Sequence, residues 1–147
     1  MTVIETLKKV ELFEGLDKAE LQKVAKLCKE RRLKRGEAIA VQGEPGNEMF
    51  IITEGFVEVV RHVTGDEEAQ VVVNLGSGQI VGEMALVDHG PRSATVKAVS
   101  DPTVVQAIKR DDFDGLCEQN NHIGYIVMHN MAADLSFRIR HRYLTGK

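Results

Sequence analysis

The sequence predicts a mainly β protein, a small antiparallel barrel or jelly roll, preceded by a helical segment and followed by two helices. Three observations carry that prediction. Short runs rich in Val, Ile and Phe recur from Arg32 onward, at 38–42, 48–53, 56–63, 69–75, 93–99 and 103–109, each of strand length. Gly36, Gly43, Gly46, Gly55, Gly65, Gly76 and Gly78 separate them, and Glu44-Pro45-Gly46-Asn47 is a strong turn signal. Before and after this region the apolar spacing lengthens to that of helices. Many short strands at near-regular spacing close into a barrel or fold over into a roll.

Residues 3–12 carry Val3, Ile4, Leu7, Val10 and Leu12 at spacings that suit a short amphipathic helix, and Phe13-Glu14-Gly15-Leu16 interrupts it. Asp17 then precedes Leu21, Val24, Ala25, Leu27 and Cys28, with Glu20 three residues after the aspartate. That pattern predicts a capped helix from about 18 to 31. In the strand region Val71, Val73 and Leu75 alternate with Val72 and Asn74, so one face of that strand lines the interior. Thr64-Gly65-Asp66-Glu67-Glu68 reads as an exposed hairpin tip, whose acids lack the spaced partners a metal needs.

After Lys109, Asp111 precedes a helix over 112–119 with Phe113 and Leu116 inward. A second helix runs from about 121 to 143, with Ile123, Ile126, Val127, Met131, Leu135 and Ile139 along one broad side. Asn130, Asp134, Arg138 and Arg142 lie near the edges of that stripe. A stripe this wide packs on a core and, on a terminal helix, also suits a dimer seam. The expected organisation is one domain over 1–147: helices in 1–31, the roll in 32–110 and helices in 111–147.

A chain of 147 residues is long enough to bury a sizeable core. A charged fraction of 28%, a hydrophobic fraction of 43% and a net charge of −3 read as soluble and globular, without general attraction for nucleic acid. Cys28 and Cys117 lie far apart with no zinc-like spacing, and two thiols are too few for a four-thiolate cluster. Both are expected to be reduced and mostly buried. The N-terminus has no apolar run long enough for a signal peptide or membrane span, so a cytoplasmic location is expected.

The segment Val81-Gly82-Glu83-Met84-Ala85-Leu86-Val87-Asp88-His89-Gly90-Pro91-Arg92-Ser93-Ala94-Thr95 has the layout of an anion cradle. Gly82 has no Cβ and lets backbone approach a ligand closely. Residues 83–88 suit one or two helical turns, whose first N–H groups lack intrahelical partners and sit at the positive end of the dipole. Pro91 fixes its own φ and biases Gly90 toward extended backbone, so Arg92 leaves a stiff corner. Its planar fork can hold two phosphate oxygens at once. Glu83 would repel such a ligand unless it accepts a hydrogen bond from a hydroxyl, and a sugar 2′-OH is the obvious donor. His89 is expected to face solvent. A ligand-free reading of the same residues is also open: Glu83 and Arg92 as an ion pair pinning a turn, with Gly82, Gly90 and Pro91 as turn chemistry.

This segment, with Gly82-Glu83-x-Ala85-Leu86, a short spacer and Pro91-Arg92-Ser93-Ala94-Thr95, resembles the phosphate-binding cassette of the cyclic-nucleotide-binding domain family. The likeness extends from Leu12 to about Arg142, through Gly36-Glu37-Ala38-Ile39, Gly43-Glu44, Gly46-Asn47-Glu48-Met49-Phe50-Ile51-Ile52 and Gly55; Ala40 is smaller than expected there. The resemblance implies an eight-stranded antiparallel jelly roll with the cassette at 81–95. It also implies that Glu83 accepts from the ribose 2′-OH, Arg92 pairs with the cyclic phosphate and the amides of Gly82, Met84 and Ala85 complete the cradle. Ser93 matches a hydroxyl position that adds a phosphate contact, and Val73, Val81 and Ala94 are the remaining candidate contacts. The basic tail at 137–143 suits a solvated helix end whose cations answer the C-terminal dipole; in the functional reading one of Arg138, Phe137, Ile139 or Tyr143 caps the base, since an arginine or an aromatic can stack on it.

The expected function is therefore a non-catalytic sensor of a cyclic nucleotide, cAMP favoured over cGMP, in which binding docks the last helix. No enzyme, metal or cofactor is expected: His62, His89, His122, His129 and His141 are scattered, and no Walker-type loop is present. A homodimer through the last helix, as in catabolite-activator-type regulators, and an unidentified effector protein are the expected partners. DNA binding by a helix-turn-helix is not expected, because the chain ends near Lys147. The alternative is a protein-interaction module that keeps the roll without binding nucleotide.

Overall fold

The computed structural model describes residues 2–62 and 70–144, without the side chains of 71, 72 and 142–144. Among these residues eight strands form two antiparallel sheets. The strands are Lys29–Leu33 (β1), Ala38–Ala40 (β2), Glu48–Glu54 (β3), Val57–Arg61 (β4), Gln70–Leu75 (β5), Ile80–Val81 (β6), Thr95–Ala98 (β7) and Thr103–Lys109 (β8). One sheet has the order β1-β8-β3-β6 and the other β2-β7-β4-β5. The jelly roll expected from the sequence is therefore the fold. The acidic tip read at 64–68 lies outside the described residues.

Successive side chains of a strand point to opposite faces, and β3 uses both. Phe50 and Ile52 join Val105 and Ala107 inside the roll, whereas Met49 and Ile51 join Ile108 beneath the helices. β8 is correspondingly buried from Thr103 through Ile108. A sheet buried on both faces reads as a continuous apolar run rather than an alternation, which is how 48–53 and 103–109 stand in the sequence.

At the N-terminus Val3–Lys8 (α1) and a 3₁₀ turn at Glu11–Phe13 lead to Lys18–Ala25 (α2). Asp17 caps α2 by accepting from the Glu20 N–H at 2.8 Å, and the Glu20 carboxylate accepts from the Asp17 N–H at 3.0 Å. The helix stops at Ala25, short of the expected 31. Residues 29–33 instead pair with β8, from Lys29 opposite Ala107 to Leu33 opposite Thr103. Lys-Glu-Arg-Arg-Leu has no strand-like pattern, and only Leu33 of the five is buried; the free edge of β8 recruits it.

Arg110–Gln119 (α3) and Asn121–Leu144 (α4) follow β8 directly. Asp111 is not the cap of α3, which starts one residue earlier from Lys109 with no side-chain cap. Phe113 is buried as expected. On α4, Ile123, Val127 and Met131 are buried, Leu135 is partly so, and residues 136–141 are all exposed. The contact stripe thus ends before Ile139. Two polar contacts fix the first half of α4: His122 Nδ1 lies 2.6 Å from Glu20 Oε2, and Asn130 Nδ2 donates to the carbonyls of Leu12 and Glu14. Cys28 and Cys117 are free but only partly buried, and burial raises their thiols to about 12 and about 11.

Candidate ligand cavity

The segment after β6 begins with Gly82 at φ +76°, a left-handed conformation that glycine adopts without steric cost. A Cβ there would also stand 2.6 Å from Arg92 Nη1. Glu83–Leu86 then form a single 3₁₀ turn, shorter than the helical stretch expected over 83–88. Leu86 turns into the apolar cluster beneath the helices, so the turn is anchored from below. The Ala85 N–H donates to the Gly82 carbonyl at 3.0 Å and is engaged within the turn. His89 is exposed.

Arg92 leaves a corner that is held on both sides. Its N–H donates to the Glu44 carbonyl and its carbonyl accepts from the Gly43 N–H, each at 2.8 Å, while Pro45 and Pro91 form a bridge beside them. These bonds lay Arg92 against the Glu44-Pro45-Gly46-Asn47 turn. The guanidinium reaches over the Phe50 ring, 5.5 Å from its centroid, and Nη2 donates to the Glu48 carbonyl at 2.8 Å. Burial pulls its pKa below the ordinary value and the nearby Glu48 carboxylate opposes that shift; an arginine stays charged in either case. Glu48 is itself gripped by both terminal nitrogens of Arg31, whose guanidinium stands 5.8 Å from the same ring.

Glu83 does not pair with Arg92, as the ligand-free reading of this turn required. Its ion pair is to Arg138 of α4, at 3.8 Å, and Arg138 also meets Asp134 at 2.9 Å, one helical turn earlier. Val73, Val81, Gly82, Glu83, Met84, Ala85, Arg92, Ser93, Ala94 and Arg138 all line one cavity of about 560 Å³. Phe137 and Ile139 do not line it and are 67% and 55% exposed. The side chain of Tyr143 lies outside the described residues. Of the three cap candidates whose side chains are described, Arg138 is the one that lines the cavity.

Sequence reasoning missed Gly46, Phe50 and Arg61, which line the same cavity, and Glu48, which holds Arg92 from behind. The Pro-Gly turn signal located Gly46, but nothing local tied it to Arg92. A second space of about 540 Å³ lies between the N-terminal helices and α4, and it shares Leu75, Ile80, Glu83 and Arg138 with the first. Among the described residues no helix is long and apolar enough to cross a membrane.

Residues 30–120 match the cyclic nucleotide-binding domain. The chain is 34% identical over 129 residues to the cyclic AMP receptor protein of Thermus thermophilus, covering 88% of this chain and 57% of that protein. It is 47% identical over 89 residues to the cAMP-dependent protein kinase regulatory subunit of Mycosarcoma maydis, covering 60% of this chain and 17% of that one. The crystal structure of the Thermus thermophilus catabolite activator protein superposes with a TM-score of 0.81 at 32% identity, over 92% of this chain and 61% of that chain. The chain thus spans little more than half of one curated relative and less than a fifth of the other. With the family match over more than half of the sequence, an eight-stranded roll and a cavity built around the matching segment, the protein belongs to the cyclic nucleotide-binding domain family.

Proposed function

We propose that the protein is a non-catalytic cytoplasmic sensor that binds a cyclic nucleotide, cAMP in preference to cGMP, in the 560 Å³ cavity. The observation that carries this reading is the meeting of Arg92, Glu83 and the Gly82 turn on one cavity. Its volume lies within the ~300–1,000 Å³ usual for small-molecule sites. Three arginines against two carboxylates, from Arg61, Arg92 and Arg138 with Glu83 and Asp88, suit a monoanion.

In this reading Arg92 neutralises the cyclic phosphate with the amides of Gly82 and Met84 and the Ser93 hydroxyl. Glu83 accepts from the ribose 2′-OH. The Ala85 N–H joins the cradle only by leaving the Gly82 carbonyl. Val73, Val81 and Ala94 supply apolar walls, and Arg138 stacks on the base. Because Arg138 sits on α4 and already touches Glu83, ligand contacts that hold both residues favour one docked position of the helix. The exposed Phe137 and Ile139 on the same helix suit a homodimer seam, and an effector protein reads the position of α4.

Isothermal titration calorimetry with cAMP and with cGMP tests the assignment. Saturable binding is expected, stronger for cAMP. Arg92→Ala should weaken it by ~2–5 kcal/mol, roughly 30-fold to several-thousand-fold. Unchanged affinity in that variant removes Arg92 from the phosphate site.

A further inference from the structure

We propose that Arg110 is a positioning residue for the ligand-binding turn, setting the geometry of residues 83–90 from α3. This rests on the binding function proposed above. Arg110 is the first residue of α3, where a cation opposes the positive end of the helix dipole. Asp111 and Asp112, which follow it, suit that end. The identity of residue 110 is therefore not set by the needs of its own helix.

Its contacts lie elsewhere. One nitrogen, Nη1, donates to the Ala85 carbonyl at 3.0 Å and to the Asp88 carbonyl at 2.8 Å, one N–H to each. These carbonyls flank the close of the 3₁₀ turn, whose Met84 carbonyl already takes the N–H groups of Val87 and Asp88. Helical turns leave their last carbonyls without partners, and a cation there answers both the hydrogen bonds and the dipole. Arg110 supplies that cation to the turn from another element.

The backbone of the same residue holds the opposite side of the site. The Arg110 N–H donates to the Asn47 carbonyl at 2.7 Å. Asn47 stands between Gly46, which abuts Arg92, and Glu48, whose carbonyl orients it. One residue thus joins the turn bearing Glu83 to the turn that seats Arg92. The apolar packing of Leu86 near Phe113 brings α3 and the turn together, but such contact is non-directional. The two charge-assisted hydrogen bonds are directional: they fix the Ala85–Leu86 and Asp88–His89 peptide planes and so anchor the turn that carries the Met84 amide and Glu83.

The test uses the full chain, free and with cAMP, as Arg110→Ala and Arg110→Lys. Hydrogen exchange on the free protein should show amides 84–90 exchanging on the order of tenfold faster in Arg110→Ala, with β3 and β8 unchanged. Calorimetry should show affinity for cAMP lowered roughly tenfold to a hundredfold. Lysine, a flexible cation with three donors, should restore part of both. Unchanged exchange at 84–90, acceleration spread equally over β3 and β8, or unchanged affinity in Arg110→Ala would each overturn the assignment. Should wild-type protein bind neither cAMP nor cGMP, the binding function fails, and the exchange arm still decides whether Arg110 orders the turn.

Discussion

At Gly46 a Cβ would stand 2.7 Å from Arg92 Cδ and closer still to Nε and Cζ, although Gly46 is not among the glycines with positive φ. Glycine is there for the space it leaves to Arg92, not for its backbone freedom. The obstructing atoms belong to a flexible side chain, so an alanine displaces the guanidinium rather than the fold. Gly46→Ala should therefore keep its melting temperature within about 2 °C, equivalent to under ~1 kcal/mol in a domain of this size. Its affinity for cAMP should fall by about tenfold or more, since Arg92 loses its seat over Phe50 and its bond to the Glu48 carbonyl. Scanning fluorimetry with calorimetry checks both, and undiminished affinity would mean that this seat does not matter for binding. Residues such as Glu83 and Arg92 were legible in the sequence because the motif that carries them is short and contiguous. Gly46 was legible only as a turn, because the arginine it accommodates lies far away in the chain.

Among the elements, α2 and α4 are joined through one carboxylate. Glu20 closes the capping box of α2 and meets His122 near the start of α4, and it is only 8% exposed. The Asp17 N–H and then the His122 side chain hold its pKa below the ordinary 4.5, against the opposing effect of burial. A carboxyl whose folded value is depressed adds stability above its unfolded value, and that stability is lost as pH falls through the folded value. The melting temperature of the wild type should thus decline as pH drops below about 5. Glu20→Gln should melt lower at neutral pH and lose less on acidification; parallel acid limbs in the two proteins would exclude this link. The Asp17-x-x-Glu20 spacing marked this helix start in advance, because capping is a matter of three residues. The helix end was not legible: Leu27 and Cys28 continue an apolar pattern, and only the edge of β8 draws residues 29–33 into a strand.

In the whole molecule one sheet separates two apolar clusters, with the cavity on one side and the helices on the other. Ile123 is fully buried on the helical side, in the cluster that also holds Leu86 of the 3₁₀ turn at Glu83–Leu86. Ile123→Ala should cost about 2–5 kcal/mol, measured by urea denaturation, because the site cannot collapse fully around the missing atoms. A loss well below 1 kcal/mol would mean that α4 is not packed as described. The sequence by itself determined the class of the fold, the capped helix start, the turns and the segment at 81–95, since each rests on periodicity or spacing within a few residues. Tertiary structure alone decided that Lys29–Leu33 and Ile80–Val81 are strands, and that the buried stripe of α4 does not continue past Leu135 through residues 136–141. It also decided that Arg138 rather than Phe137 or Ile139 reaches the cavity, and that Glu48, Gly46 and Arg110 surround the site. The physical reason is the same for all of these. They follow from which groups meet through space after the roll closes, and neither hydrogen-bond pairing nor excluded volume between distant residues leaves a trace in local pattern.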